Sequence, residues 1–187
     1  MDIETTTNWI ARWEAGSSGP AGTAYADTMG HPTIGIGFNL DRPDAGEKIA
    51  AFGLNYNQVR TGQQSLTNDQ INQLFTQDVN MAIGGARRIV PGFDTLPDPA
   101  QMVIVDMVFN LGPQGFAGFA RTISALETQN WNAAATEMTN SAWYTQTGQR
   151  SKGDVGVIRQ LAMGASAPTL DAQQGLSQRS NTSGASG

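Results

Sequence analysis

The run MVIVDMVFNL, residues 102–111, is apolar on almost every side of a helix, and a helix with no polar stripe has to be buried all round. The rest of the chain must therefore supply enough elements to surround it. Asp98 caps this helix, Pro99 takes its first helical position and Gly112 stops it. Asp106 is the one acid inside, and the plain reading makes it a helix-edge carboxylate that is paired or solvated.

A second helix is written just upstream. Thr67 and Gln70 form a Thr-x-x-Gln capping box, and Ile71, Leu74, Phe75, Val79 and Ala82 follow at helical spacing, which predicts a long helix over 67–83. Gly84 and Gly85 break or weaken it there. Ahead of it, TNWIARWE reads as a short helix over 7–14 capped by Thr7, with Trp9, Ile10 and Trp13 on one face. The loop AGSSGPAGT, 15–23, follows, and Tyr25 to Leu40 then reads as strand, turn, strand around MGHP. After the core helix come short helices in TISALETQ and NWNAAATEMTNS and a final helix from about Val155. Residues 165–187 carry too few large apolar side chains to offset their ordering entropy and read as a flexible tail or linker. The fold class is α+β, mainly helical, with two lobes. One lobe spans about 1–66 and holds a small antiparallel sheet, the connecting helix is 67–83, and the helical lobe spans about 84–164, so that 1–164 is one domain.

Composition narrows the function. A net charge of −5 over 187 residues argues against a nucleic-acid partner, which would need a basic stripe. No apolar run reaches the roughly 20 residues of a membrane span. The two acids in the first four residues are unlike the basic start of a secretory signal. Without cysteine there is no disulfide, thiol nucleophile or cysteine metal site, and one histidine, His31, is a poor metal site by itself. Neither metal nor cofactor is expected, and the chain is expected to be a monomer.

The chemistry gathers in the N-terminal third. Glu14 ends a helix beside Trp13, and Asp27 sits at the foot of the hairpin whose next strand starts with Thr33. Two carboxylates at one cleft are the minimum apparatus for glycoside hydrolysis, one protonated to reach the leaving oxygen and the other ionised as base or nucleophile. Glu14 beside an indole suits the acid and Asp27 in a polar turn suits the base. Thr33 adds a hydroxyl that can hold a water, and Gly35 and Gly37 leave backbone open to a sugar ring.

WEAG followed by YADTMGHPTIGIGFNL resembles the bacteriophage-type lysozyme family, glycoside hydrolase family 24. LTNDQINQLFTQDVNMAI is similar to that family's connecting helix, MVFNLGPQGFAGFARTISAL to its core helix and following turn, and WNAAATEMTNSAWYTQTGQRS to its C-terminal signature. The resemblance implies a lysozyme-like fold and places the family's catalytic acid, second carboxylate and threonine on Glu14, Asp27 and Thr33. It implies an N-acetylmuramidase that inverts the anomeric centre while cutting the β-1,4 bond between N-acetylmuramic acid and N-acetylglucosamine of bacterial peptidoglycan. Glycan contacts then fall on Asn39, Phe109, Thr122 and Glu137, and Arg150 becomes a partner for Glu14. Two departures stand out. Twelve residues separate Glu14 from Asp27, a longer gap than in the family's best-known member, and Phe38 replaces a histidine, so the salt bridge built on that histidine should be missing. An enzyme of this kind without a signal would work from the host cytoplasm with a holin or be carried in a virion. The competing expectations are a non-hydrolytic peptidoglycan-binding or structural virion component, and a chitinase or chitosanase on a related fold.

Overall fold

The computed structural model describes residues 1–14, 20–27 and 29–164. The start of the AGSSGPAGT loop, Thr28, and the 165–187 segment read as a tail lie outside the described residues. The chain runs through α1 (Ile3–Glu14), strands β1 (Ala21–Ala26), β2 (Pro32–Gly35) and β3 (Phe38–Asn39), then α2 (Ala45–Ala50), α3 (Tyr56–Arg60) and α4 (Asn68–Ile89). After a 3₁₀ turn at Phe93–Thr95 it continues as α5 (Asp98–Ala117), α6 (Ala120–Glu127), α7 (Trp131–Thr139), α8 (Ala142–Thr147) and α9 (Gln149–Ala162). This is the expected α+β class, mainly helical with one small sheet.

The core helix behaves as its composition demands. Every residue of α5 from Ala100 to Val108 is buried, Asp106 included. The helix α5 is kinked at Gly112, whose φ of 70° and ψ of 161° are not helical, and helical structure resumes from Pro113 to Ala117. Asp98 lies inside the helix rather than capping it; Pro97 holds the cap position.

Helix α4 carries the complete capping box, with the Thr67 hydroxyl accepting the Gln70 amide and the Gln70 side chain accepting the Thr67 amide. It runs past the expected end, because Gly84 and Gly85 are kept helical by packing. A Cβ added to Gly85 would lie 3.0 Å from Val108 Cγ1 and 3.3 Å from Pro113 Cγ. The small residue lets α4 and α5 approach closely, and that contact outweighs glycine's helix cost of about 1 kcal/mol. At its other end α4 meets the sheet, with Ile71 against Gly35.

Two other boundaries move for similar reasons. Helix α1 starts a turn before Thr7, because Asp2 accepts the Thr5 amide at 3.0 Å and serves as the cap; Thr7 lies inside and donates its hydroxyl to Ile3 O. Helix α9 starts at Gln149 rather than near Val155, after Gly148 turns the chain with φ 57°. Gly153 and Gly156 dilute its helical signal in sequence, yet Gly153 is where α9 meets α1: a Cβ there would sit 3.1 Å from the Trp13 ring and 3.3 Å from the Trp9 ring. Arg150 and Asp154 are thereby placed one turn apart on a buried helical face.

The sheet is antiparallel in the order β1-β2-β3. Its register sets Tyr25 opposite Thr33 and Thr33 opposite Asn39, so the three side chains share one face. Phe38, on the next position, is buried and covered by cations instead of joining an ion pair. The Arg42 guanidinium lies 4.6 Å and the Lys48 ammonium 5.8 Å from its ring centroid, and both side chains also hold Asp78 of α4, at 2.5 and 3.0 Å. Burial opposes the Arg42 charge, but bonds to Asp44 and Asp78 overcome it and raise its pKa.

Removing the α4 cap gives a direct check on this framework. Thr67→Ala should cost about 1 kcal/mol and lower the thermal midpoint by about 2–4 °C for a chain of this size, measured by far-ultraviolet circular dichroism.

Candidate active site

Glu14 is the last residue of α1, and its carboxylate is held from below. Oε1 accepts from Arg150 Nη1 at 2.5 Å, while Arg150 Nε and Nη2 donate to the two oxygens of Asp106, each at 2.9 Å. The guanidinium therefore spans two carboxylates, bidentate on one and single on the other. The Arg150 side chain is 8% exposed and that of Asp106 fully buried, whereas Glu14 keeps 20% of its surface. Burial works against the Arg150 charge, but Asp106 and then Glu14 outweigh it and raise the pKa above its ordinary value. Charge-assisted, planar pairing of this kind orients as well as stabilises.

The other Glu14 oxygen is crowded by backbone. An added Cβ at Gly37, whose φ is 71°, would stand 2.7 Å from Glu14 Oε2. No side chain fits there without moving the carboxylate, and Gly37 also lines a cleft of about 690 Å³ shared with Asn39, Arg88, Phe109 and Pro113. Oε1 is thus committed to Arg150, and Oε2 lies against Gly37, a residue of the cleft wall. The bare face of Gly35 is filled differently, by Ile71.

Asp27 sits in the β1–β2 turn. Its Oδ1 accepts the amides of Met29 and His31, both at 2.8 Å, and its own amide donates to His31 O. Thr33 is buried on β2 and donates its hydroxyl proton to the same His31 carbonyl at 3.2 Å. The backbone of one residue, His31, therefore orients both side chains, through its N–H and its C=O. Since the Thr33 proton is used inside the turn, its oxygen has lone pairs left to accept from a water. The imidazole itself is exposed, 3.5 Å from Asp41.

Tyr25 is a residue that reading the sequence for acids passed over. It lies opposite Thr33 on β1, and its phenol is pushed up first by burial and then by the charges of both Glu14 and Asp27. Its alternation with Asp27 along β1 is the signal that could have found it.

The remaining candidates divide between two hollows. Asn39 and Phe109 belong to the large cleft, where the Phe109 ring packs edge-on against Phe75 at 5.8 Å. Thr122 and Glu137 line a separate hollow of about 430 Å³ with Phe119 and Arg121. Thr122 is buried, and Glu137 lies 3.9 Å from Arg121.

Removing one arm of the Arg150 clamp leaves a buried cation with half its partners. Asp106→Ala should cost about 3–5 kcal/mol, read as a lower urea midpoint at unchanged m-value.

Comparison with known proteins followed the same outline. The phage lysozyme family model matches residues 15–159, starting directly after Glu14. Two probable T4-type lysozymes of Dictyostelium discoideum are 29% and 30% identical over 146 and 144 residues, each alignment covering 72% of this chain and 84% of the relative. The peptidoglycan hydrolase gp36 of Pseudomonas phage phiKMV is 26% identical over 148 residues, which cover 78% of this chain and 14% of that protein.

Proposed function

The chain belongs to the phage lysozyme family and is a glycoside hydrolase of the lysozyme type acting on the bacterial cell wall, and we propose that it cuts the β-1,4 bond between N-acetylmuramic acid and N-acetylglucosamine with inversion. The roles follow from what each group can still do. Glu14 keeps one oxygen on Arg150 and presents Oε2, beside Gly37, to the leaving glycosidic oxygen as general acid. The nucleophile is a water held between Asp27 and Thr33. Thr33 accepts one of its protons, and Asp27, its orientation fixed by two backbone amides, takes the other as the oxygen attacks the anomeric carbon from the face opposite the leaving group. Asn39 and Phe109 along the cleft, and Thr122 and Glu137 beyond it, are the glycan contacts of this reading.

The observation that carries the proposal is the placing of Glu14, with one oxygen on Arg150 and the other against Gly37, a residue of the cleft wall. It supports an acid on the helix side, and the turn that holds Asp27 and Thr33 on the backbone of His31 supports a base and a water site on the sheet side.

Glu14→Gln keeps the side chain's shape and removes the proton donor. Release of reducing ends from purified peptidoglycan should fall by at least about 10²-fold with the thermal midpoint preserved; unchanged turnover would overturn the role of Glu14. The anomer formed first, read by proton NMR during early turnover, should be α, and a β product would contradict inversion. Gly37→Ala pushes Oε2 out of place and should lower kcat about a hundredfold, with a smaller change in KM.

A further inference from the structure

Beneath the Glu14–Arg150–Asp106 clamp lies a third carboxylate that the mechanism does not use. Asp154 follows Arg150 by one turn of α9, on the same face, and is completely buried. Its Oδ1 accepts the Trp9 indole N–H at 2.9 Å. Its Oδ2 is buried as well, and no donor from the described residues reaches it. Arg150, one turn earlier on this buried face of α9, is bidentate on Asp106, and Asp106 is the carboxylate whose proximity raises the Asp154 carboxyl after burial itself. Two carboxylates beside one guanidinium in a dry interior favour a proton on one of them. A buried oxygen without a donor is costly, and both needs are met if Asp154 is a neutral acid whose Oδ2–H donates to Asp106.

We propose that Asp154 is a positioning residue of the hydrolytic site: as a carboxylic acid it donates a hydrogen bond to Asp106, fixing Asp106 against Arg150 and so fixing the guanidinium that holds Glu14. The arrangement is a relay of orientation from Trp9 through Asp154, Asp106 and Arg150 to Glu14. It links α1 to α9, α9 to α5 and α9 back to the end of α1, so both ends of the relay stand on one helix. Burial and then the neighbouring Asp106 charge hold the Asp154 carboxyl well above the usual carboxylate range, against the opposing Trp9 bond and Arg150 charge. The charged groups facing it are Asp106 from α5 and Arg150 from α9, with Glu14 of α1 beyond the guanidinium.

This inference rests on the reading of Glu14 as the acid, and the test separates the two. Asp154→Asn keeps an acceptor for Trp9 and an N–H donor for Asp106, and should retain kcat within about threefold. Asp154→Val keeps the shape without either bond, and its kcat should fall about tenfold or more with KM within about twofold. Because this variant also strands the Trp9 N–H, the double variant Trp9→Phe/Asp154→Val removes the orphan donor. It should recover the thermal midpoint and not kcat, whereas a purely structural role would return both together. A kcat within threefold of wild type in the folded double variant, or an equal loss in Asp154→Asn, overturns the proposal while Glu14→Gln still reports on the acid. The pH dependence of stability gives an independent reading. An acid whose folded pKa is raised keeps its proton in the folded chain above about pH 4, where the unfolded chain has lost it, so wild-type stability falls as pH rises through that window. Asp154→Asn cannot titrate there, so its midpoint should gain on wild type from about pH 4 upward; a constant difference overturns the neutral acid.

Discussion

The fold and the site both hang on Arg150. Its guanidinium bridges Glu14 at the end of α1 and Asp106 in the middle of the buried α5. A charge in this position is tolerated only if its donors are matched, since removing a buried ion from water costs several kcal/mol and loose partners do not repay it. The matching is geometric: the Nε and Nη2 edge is bidentate on Asp106 and Nη1 is left for Glu14. The core helix therefore carries a buried carboxylate matched to Arg150, which accounts for the one acid among its buried residues. α5 contributes Asp106 to the clamp and Phe109 to the cleft within one turn.

Against this fixed half stands a sheet built from turns. Gly35 and Gly37 take φ of 66° and 71°, conformations that cost an L side chain about 1–2 kcal/mol, and each has a distinct reason for lacking one. At Gly35 the space goes to Ile71 of α4, which seats the sheet on the connecting helix. At Gly37 it goes to Glu14 Oε2, which brings the β2–β3 turn against the end of α1. The Gly-x-Gly pattern from the end of β2 into this turn is thus a docking device on both sides, toward the scaffold and toward Glu14. Asp27 and Thr33 gain their positions at second hand from the backbone of His31, so the base side of the mouth is fixed by the peptide of a residue whose side chain is exposed.

Much of this was legible before any coordinates. The capping box located the start of α4 to the residue, and the all-round apolar run identified the buried helix and its Gly112 stop, because local bonding and burial both point the same way there. The motif order gave the family and the enzyme class. What the sequence concealed lies where long-range packing overrides local preference. Helix α9 looked too rich in glycine to start before Val155, yet Gly153 is small because two indoles of α1 press against it. Helix α1 looked capped by Thr7, because Asp2 lay outside the window in which the apolar spacing begins. Asp106 was read as an edge acid because periodicity cannot reveal that a cation arrives from 44 residues downstream. Phe38 illustrates the converse: the missing salt bridge was predictable, but its replacement by two cations stacked on the ring and paired with Asp78 is a property of the assembled structure.

On the proposed roles, a buried acid pair beside a guanidinium supports the proton donor, and the charge count explains its use. With Asp106 ionised to match Arg150, Glu14 is the second carboxylate on the same cation, and a third ionised group at Asp154 would leave the cluster with two excess negative charges in a low-dielectric interior. Neutralising Asp154 halves that excess while turning it into a donor, so the same proton that relieves repulsion also closes the hydrogen-bond chain. The cost is a carboxyl that folds only by holding a proton it would otherwise lose above about pH 4. Stability lost to such a group is what a site accepts when its geometry must be rigid, and the return here is an Asp106 unable to rotate away from Arg150. Rigidity passes from the indole of Trp9 to the carboxylate of Glu14, two residues of one short helix, by a path through α9 and α5. That closed loop makes the orientation of the acid a property of the helical core, independent of the loop that joins Glu14 to Asp27.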